Sequence, residues 1–172
     1  QTFLDLYSIK KTQNGLDNVK IAMVGDLKYG RTVHSLAKGI SHFSPDLYFV
    51  APDSLQMPDY VLDNLTKNKV NFEKAISIEE VIDKVDILYM TRIQQERFED
   101  KEEYEKLKDI YELNRYMLEG CKSNMKILHP FPRVNEINVD VDGTPYAYYF
   151  EQAGNAVPVR QALFSLVLGA KK

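Results

Sequence analysis

The sequence predicts an α/β fold in which a doubly wound, mainly parallel sheet carries helices on both faces, as three layers. Short apolar runs rich in β-branched residues alternate along the chain with amphipathic segments of helical period. Strands that alternate with helices favour parallel pairing, because each helix returns the chain to the start of the next strand. The length of 172 residues suits one such domain, and we find no internal repeat or low-complexity linker.

The first helix is predicted over residues 2–11 and the last over 159–168, and both carry apolar side chains that need a partner surface. The strands are predicted at 19–24, 47–50, 70–75, 85–90, 125–128 and 146–150. Further helices are predicted at 32–40, 59–65, 77–84 and 110–119. In the helix at 77–84, Ser77 and Glu80 form a capping box. The charge-dense segment 95–108 is predicted to be solvated surface.

Around the first strand, the sequence indicates a strand, a glycine-bounded turn and a helix. Gly25 and Gly30 bracket the polar turn, and Arg31 stands at the entry to the helix. Backbone N–H groups at a helix start favour an anion, and a guanidinium adds a planar, two-pronged donor. The stretch therefore predicts an anion site, although an ordinary turn with a solvated arginine explains this segment equally well.

Polar groups follow three of the predicted strands. Arg31 follows the first strand, Arg92 and Gln94 follow the fourth, and the loop 129–133 follows the fifth. In Rossmann-like sheets, ligands lie off the carboxyl ends of the strands, near the switch point in strand order. Two arginines at this edge favour a ligand with two carboxylates, or with one carboxylate and one phosphate. The prolines of the loop leave backbone carbonyls without competing N–H donors, which indicates either acceptors for an amine or a rigid loop.

Composition and motifs exclude several other classes. The net charge of −3, without a basic cluster, gives no footprint for nucleic acid. No apolar run approaches the ~20 residues of a membrane span, and no signal peptide is visible. The single cysteine, Cys121, cannot form an internal disulfide, so we expect a cytoplasmic protein. No cofactor is expected either, because the turn lacks the middle glycine of a dinucleotide fingerprint and the three histidines are scattered.

Four motifs together resemble the aspartate carbamoyltransferase family. They read MVGDLKYGRTVHSL at 23–36, MTRIQQERF at 90–98, LHPFPRVNEI at 128–137 and YFEQAGNAVPVRQAL at 149–163. The resemblance covers essentially the whole sequence, but only the second, aspartate-binding half of the family's catalytic chain. It implies transfer of the carbamoyl group of carbamoyl phosphate to the amine of L-aspartate, in de novo pyrimidine biosynthesis. It implies no covalent enzyme intermediate and no metal or other cofactor in the active site.

The resemblance assigns aspartate binding to the two arginines. Arg31 matches the residue that holds the α-carboxylate of aspartate. Arg92, itself held by Gln94, matches the residue that holds the side-chain carboxylate. Ornithine as the acceptor is disfavoured, because two arginines suit a dicarboxylate rather than a cationic side chain.

The remaining roles that the resemblance implies concern the amine, the carbamoyl group and domain closure. The Pro132 carbonyl matches the acceptor that orients the attacking amine, and the Phe131 carbonyl the one that faces the carbamoyl nitrogen. Gln1 matches a glutamine that helps to position carbamoyl phosphate. Lys28 and Tyr29 match residues of the closure machinery, together with the loop 95–108, and Lys28 is also expected to bind substrate. The family's HPLPR motif is HPFPR here, which preserves a backbone role and changes the wall of the pocket.

The resemblance also implies a domain arrangement. Residues 1–172 are expected to form a single aspartate-binding domain, in which the helices 1–11 and 159–172 cross to a missing carbamoyl-phosphate domain. The family's phosphate loop belongs to that missing half, so we expect this chain to be inactive alone. Complete chains of the family form homotrimers, with or without regulatory chains. A non-catalytic α/β module that binds an anion or amino acid remains the alternative.

Overall fold

The computed structural model describes residues 1–93, 102, 104–105 and 110–170. The prediction for Gln94, and nearly all of that for the segment 95–108, lies outside the described residues. No helix in the described part of the chain has the length and apolar character needed to cross a bilayer.

The core is a five-stranded sheet, in which every strand pair is parallel. The strands are β1 (Lys20–Val24), β2 (Asp46–Val50), β3 (Asn71–Ala75), β4 (Ile87–Met90) and β5 (Lys126–Leu128). Their order across the sheet is β3-β2-β1-β4-β5. The chain builds outward from β1 to β3, and then returns to place β4 against the other side of β1. The predicted parallel α/β architecture is confirmed, and its switch point lies between β1 and β4.

The helices described are α1 (Thr2–Gln13), α2 (Arg31–Ile40), α3 (Asp59–Lys67), α4 (Tyr149–Gly154) and α5 (Ala156–Val167). Two apolar clusters enclose the sheet, one on each face. Residues of α1, α2 and α3 close the first cluster. Turns and short 3₁₀ segments between residues 75 and 141, with Tyr149 of α4, close the second. Successive strand residues alternate between the two clusters, as the pleat of a doubly covered strand requires.

The predicted helix at 77–84 is wrong. Residues 79–84 form hydrogen-bonded turns, although one half of the capping box is present. The Glu80 carboxylate accepts the backbone N–H groups of Ile76 and Ser77 at 3.2 and 3.0 Å. Val81 and Lys84 donate three residues back, and Ile82 alone in this segment donates four residues back, to the Ile78 carbonyl. So short a segment cannot build the cooperative ladder of an α-helix.

The predicted helix at 110–119 is also wrong. The backbone N–H of Leu113 donates to the Glu136 carbonyl at 3.0 Å, and the N–H of Asn138 donates to the Leu113 carbonyl at 2.9 Å. Pairing with a distant segment therefore holds this stretch extended, and only Arg115–Leu118 turns, as a 3₁₀ segment. Tertiary pairing overrides the local helical pattern here.

The predicted strand at 146–150 reduces to one bridge. Ala147 pairs with Ile127 of β5, and the chain then enters α4 at Tyr149. Tyr149 is fully buried in the second cluster and Phe150 is exposed, so the apolar run is one turn of a helix and not a sixth strand. Short apolar runs do not distinguish these two outcomes.

Candidate substrate site

The two arginines singled out in the sequence lie at the switch point of the sheet. Arg31 follows β1, Arg92 follows β4, and both line one cavity of about 420 Å³. A volume of this size is ordinary for a small-molecule site. The residues that line the cavity are Gln1, Asp26, Gly30, Arg31, Thr32, Thr91, Arg92, His129, Pro130, Phe131 and Pro132. They come from the start of α1, the β1–α2 turn, the residues after β4 and the loop after β5.

The β1–α2 turn packs directly on the residue that follows β4. A Cβ at Gly25, whose φ is +110°, would lie 2.3 Å from the Thr91 carbonyl oxygen. Thr91 in turn donates its backbone N–H and its hydroxyl to the Val24 carbonyl, at 2.9 and 2.8 Å. Only a glycine permits this approach and this backbone conformation. This packing places the turn that leads to Arg31 directly against Thr91, the residue before Arg92.

Replacement of Gly25 by alanine is therefore expected to destabilise the protein by about 2 kcal/mol or more, since it adds both a clash and a strained φ. Urea unfolding at pH 7 measures the loss. Gly15→Ala is the matched control, because no atom lies within 4 Å of a Cβ at that position. The control should change the free energy of unfolding by less than about 0.5 kcal/mol. Equal stabilities for the two variants would contradict the close packing.

Helix α2 is held against the turn by its own histidine. The Nε2 atom of His34 lies 2.7 Å from the Leu27 carbonyl, and its Nδ1 atom lies 2.7 Å from the Tyr60 hydroxyl. The histidine is thus structural, and it anchors the first turn of the helix that carries Arg31. The Arg31 side chain is exposed and has no hydrogen-bond or ion-pair partner among the described residues. Its guanidinium is available to an anion in the cavity.

The loop after β5 is organised by a buried histidine. The backbone N–H of Phe131 donates to His129 Nδ1 at 2.8 Å, so this nitrogen is an acceptor. The proton of a neutral ring then lies on Nε2, which donates to Glu136 Oε1 at 2.7 Å. The backbone N–H of His129 donates to Gln152 Oε1 at 2.8 Å. These contacts fix the path of the backbone through residues 129–132.

Glu136 is ionised beneath this loop. Its burial opposes the charge, but the hydrogen bond from His129 and the backbone N–H of Val134 outweigh burial, so the pKa of Glu136 lies below its ordinary value. The carboxylate is only 6% exposed. It therefore stabilises the protein by accepting donors that would otherwise be buried without a partner.

The far end of the loop is anchored by an ion pair and by aromatic packing. Arg133 pairs with Asp142, and its Nη2 atom lies 3.0 Å from Asp142 Oδ2. The hydrogen bond from Arg133 holds the pKa of the Asp142 carboxyl below its ordinary value. The Phe131 ring packs against those of Tyr149 and Phe150, with centroids 6.0 and 5.9 Å apart. The phenylalanine of the HPFPR motif is part of this wall.

The structure brings Gln1, Arg31, Arg92, Phe131 and Pro132 to one cavity. It does not bring Lys28 there. The Lys28 side chain is exposed, and its Nζ atom lies 5.1 Å from the centroid of the Tyr29 ring. A substrate-binding role for Lys28 stays a prediction, as do the roles of the other residues.

Sequence reasoning missed three polar residues of the cavity, Asp26, Thr32 and Thr91. Their positions in the sequence could have indicated them, because Asp26 follows Gly25, Thr32 follows Arg31 and Thr91 precedes Arg92. The assembled site offers two cationic side chains, the amide of Gln1 and a proline-rich backbone. That combination fits a small ligand with two anionic groups. Among the described residues, no group of His, Cys, Asp and Glu is arranged to hold a metal ion.

Comparison with known proteins identifies relatives along nearly the whole chain. The family described as "Aspartate/ornithine carbamoyltransferase, Asp/Orn binding domain" matches residues 17–167. Aspartate carbamoyltransferase catalytic subunit 2 of Shewanella halifaxensis is 55% identical over 168 residues, which are 98% of this chain and 54% of that protein. The catalytic subunit of Parabacteroides distasonis is 55% identical over 170 residues, covering 98% of this chain and 56% of that protein.

Solved structures give the same result. The catalytic subunit of M. jannaschii aspartate transcarbamoylase superimposes with a TM-score of 0.92 at 44% identity, over 99% of this chain and 56% of that one. Aspartate transcarbamoylase from Trypanosoma cruzi, in complex with aspartate and phosphate, gives a TM-score of 0.85 at 36% identity, over 95% of this chain and 52% of that one. The chain therefore spans about half the length of the relatives that it matches.

Proposed function

The chain belongs to the aspartate/ornithine carbamoyltransferase family, and we propose that it is the aspartate-binding half of an aspartate carbamoyltransferase catalytic chain. The complete chain would transfer the carbamoyl group of carbamoyl phosphate to the amine of L-aspartate, a step of de novo pyrimidine biosynthesis. The observation that carries this proposal is that Arg31 and Arg92 line one cavity at the switch point of the sheet.

The arginine pair selects the acceptor substrate. A dicarboxylate satisfies two guanidinium groups, and each can bind one carboxylate in a bidentate manner. We assign the α-carboxylate to Arg31 and the side-chain carboxylate to Arg92, with Gln94 as the support of Arg92. Ornithine would place an ammonium group where this site presents a guanidinium, which costs binding free energy.

The loop and Gln1 serve the reacting groups. The amine nitrogen of aspartate attacks the carbamoyl carbon, the carbon–oxygen bond to phosphate breaks, and phosphate departs with the electron pair and takes the proton that the amine loses. We assign the Pro132 carbonyl to the amine, the Phe131 carbonyl to the carbamoyl nitrogen and the Gln1 amide to carbamoyl phosphate. The reaction needs no redox or carrier group, so positioning and fixed charges provide the catalysis. Well-oriented reactants can contribute roughly 7–11 kcal/mol to such a step.

The remaining half of the enzyme accounts for apolar surface at both ends of this chain. On α1, Phe3 is 64% exposed, and on α5, Val157 and Phe164 are 60% and 66% exposed. Side chains of this size are seldom left in water over a whole helix face. We propose that α1 and α5, which correspond to the predicted crossing helices, contact the carbamoyl-phosphate domain. We further propose that complete chains form a cytoplasmic homotrimer, and regulatory chains would add to that trimer.

Complementation tests this proposal. The chain alone is expected to form no carbamoyl-aspartate from carbamoyl phosphate and aspartate, because the groups that bind the phosphate are missing. Mixing it with the complementary amino-terminal half should produce activity, which is measured as carbamoyl-aspartate. The amino-terminal half alone, and a mixture that contains the Arg92→Ala chain, are the matched controls.

Two results would contradict the proposal. Turnover by this chain alone would show that the missing half is not required. A mixture that binds both substrates and yet forms no product would favour the non-catalytic module instead. Ornithine replaces aspartate in a parallel assay, and a higher kcat/KM for ornithine would reverse the assignment of the acceptor.

A further inference from the structure

A carboxylate with no assigned role lies behind the cavity. Asp5 of α1 is fully buried, with 0% of its surface exposed. Its Oδ1 atom accepts the side-chain amides of Gln1 and Gln152, at 2.8 and 2.7 Å. Its Oδ2 atom accepts the Tyr89 hydroxyl at 2.9 Å. One side chain thus gathers donors from α1, β4 and α4.

Each of these donors either lines the cavity or contacts a residue at its edge. Gln1 lines the cavity itself. The side chain of Thr32, the cavity residue next to Arg31, interacts with the Tyr89 hydroxyl and lowers its pKa, although burial and Asp5 raise that pKa more strongly. Gln152 uses its other amide atom, Oε1, to accept the backbone N–H of His129, where the proline loop begins. Asp5 therefore joins the wall at the start of α1 to the wall formed by the loop after β5.

We propose that Asp5 is a positioning residue, whose carboxylate holds Gln1 directly, and the loop that begins at His129 through Gln152, in one arrangement around the candidate substrate site. The inference rests on the proposed function, since it concerns the same site. A carboxylate suits this position because it offers acceptors only, and all three neighbours point donors at it. An alanine would leave these buried donors without partners, and the walls would move to find others.

The protonation state of Asp5 provides a signature of this role. Burial raises the pKa of Asp5 to about 6, against the opposing effect of the three hydrogen bonds. Protonation removes the charge from the acceptor and so weakens the hydrogen bonds from the Gln1 and Gln152 amides, and a proton on Oδ2 requires the Tyr89 hydroxyl to turn and accept it. Positioning should therefore weaken as the pH falls through about 6, while it is intact at pH 7.5.

Few ionisable groups face Asp5 from the elements packed against it. Burial, and then the charge of Asp5, raise the pKa of Tyr89 well above its ordinary range, so Tyr89 stays protonated. The α-amino group of Gln1 lowers the pKa of Asp5 slightly. In a chain that continues before Gln1 this group is an amide, and the pKa of Asp5 would lie higher. Gln152 of α4, which donates to Asp5, and Thr32 of α2, which interacts with Tyr89, are both neutral.

The test uses complete catalytic chains that carry the Asp5→Ala, Asp5→Asn or Tyr89→Phe substitution. Asp5→Ala should lower kcat/KM for aspartate by about 10²-fold at pH 7.5, since misplacement by about 1 Å can have that effect. Tyr89→Phe removes one of the three donors to Asp5 and should lower kcat/KM less, by about tenfold. Asp5→Asn cannot titrate. The kcat/KM of Asp5→Asn, divided by that of the wild type, should therefore approach one as the pH falls from 7.5 to 5.5.

Asp86→Asn is the matched control. Asp86 also accepts three donors, from Lys20, Lys122 and Asn124, but it lies at the opposite, amino edge of the sheet. This control should leave both kcat/KM and its pH profile at wild-type values.

The outcomes separate the two proposals. A wild-type chain without aspartate carbamoyltransferase activity overturns the proposed function, and with it the premise of the inference. If the wild type is active, two results overturn the Asp5 assignment alone. The first is wild-type kcat/KM in the Asp5 variants, and the second is the wild-type pH profile in Asp5→Asn. If Asp5→Ala fails to fold, Tyr89→Phe and Asp5→Asn decide the question. Wild-type kinetics in both would contradict the positioning role.

Discussion

In the complete catalytic chain, replacement of Arg92 by alanine is expected to reduce kcat/KM for aspartate by about 10²- to 10³-fold. A charged group that pairs with a ligand carboxylate contributes about 2–5 kcal/mol, and its loss leaves that carboxylate without a partner in the cavity. Steady-state assays with aspartate as the varied substrate measure the effect. Arg31→Ala should cause a loss of similar size, because both arginines line the same cavity.

A change of substrate separates the two roles. Asparagine lacks the side-chain carboxylate, so Arg92→Ala should have little further effect on the weak activity with asparagine. Arg31→Ala should reduce activity with both amino acids, because both have an α-carboxylate. Arg115→Ala is the control, since Arg115 is exposed and lies outside the cavity. An Arg92→Ala variant that loses aspartate and asparagine activity equally would refute the assignment.

Replacement of His129 by leucine is expected to destabilise the protein by about 3 kcal/mol. This change leaves the ionised Glu136 buried without its main donor and leaves the Phe131 N–H without its acceptor. Removing one partner of a buried pair has an effect of that order. Urea unfolding at pH 7 measures the loss. Glu136→Gln is the milder comparison, because an amide oxygen can still accept the His129 proton.

The pH dependence of stability provides a further check. Because the pKa of Glu136 is lower in the folded protein, its stabilising contribution is present above the ordinary pKa of 4.5 and is lost as the pH falls through the folded value. That acid loss should be smaller in His129→Leu than in the wild type. If His129→Leu is as stable as the wild type at pH 7, and loses the same free energy of unfolding in acid, the His129–Glu136 hydrogen bond contributes nothing to stability.

The parallel sheet could be predicted because its strands are continuous apolar runs separated by segments of helical period. The first helix was predicted to end at residue 11, and α1 ends two residues later at Gln13, followed by Asn14 with φ of +57°. Arg31 and Arg92 could be placed at one edge, since the carboxyl ends of parallel strands meet there. The segments at 77–84, 110–119 and 146–150 could not be predicted. Short runs are ambiguous in period, and their conformation follows from distant partners such as Glu136 and Ile127.

The sequence by itself determined the fold class, the family and the two arginines that we propose bind an anionic ligand, because periodicity, motifs and strand order are local or one-dimensional properties. Only the tertiary structure showed that Asp26, Thr32 and Thr91 join the cavity. It alone showed that Asp5 links Gln1 to Gln152, which is 147 positions further along the chain than Asp5. Contacts between residues so far apart depend on the packing of whole helices on the sheet, and no local pattern encodes that packing.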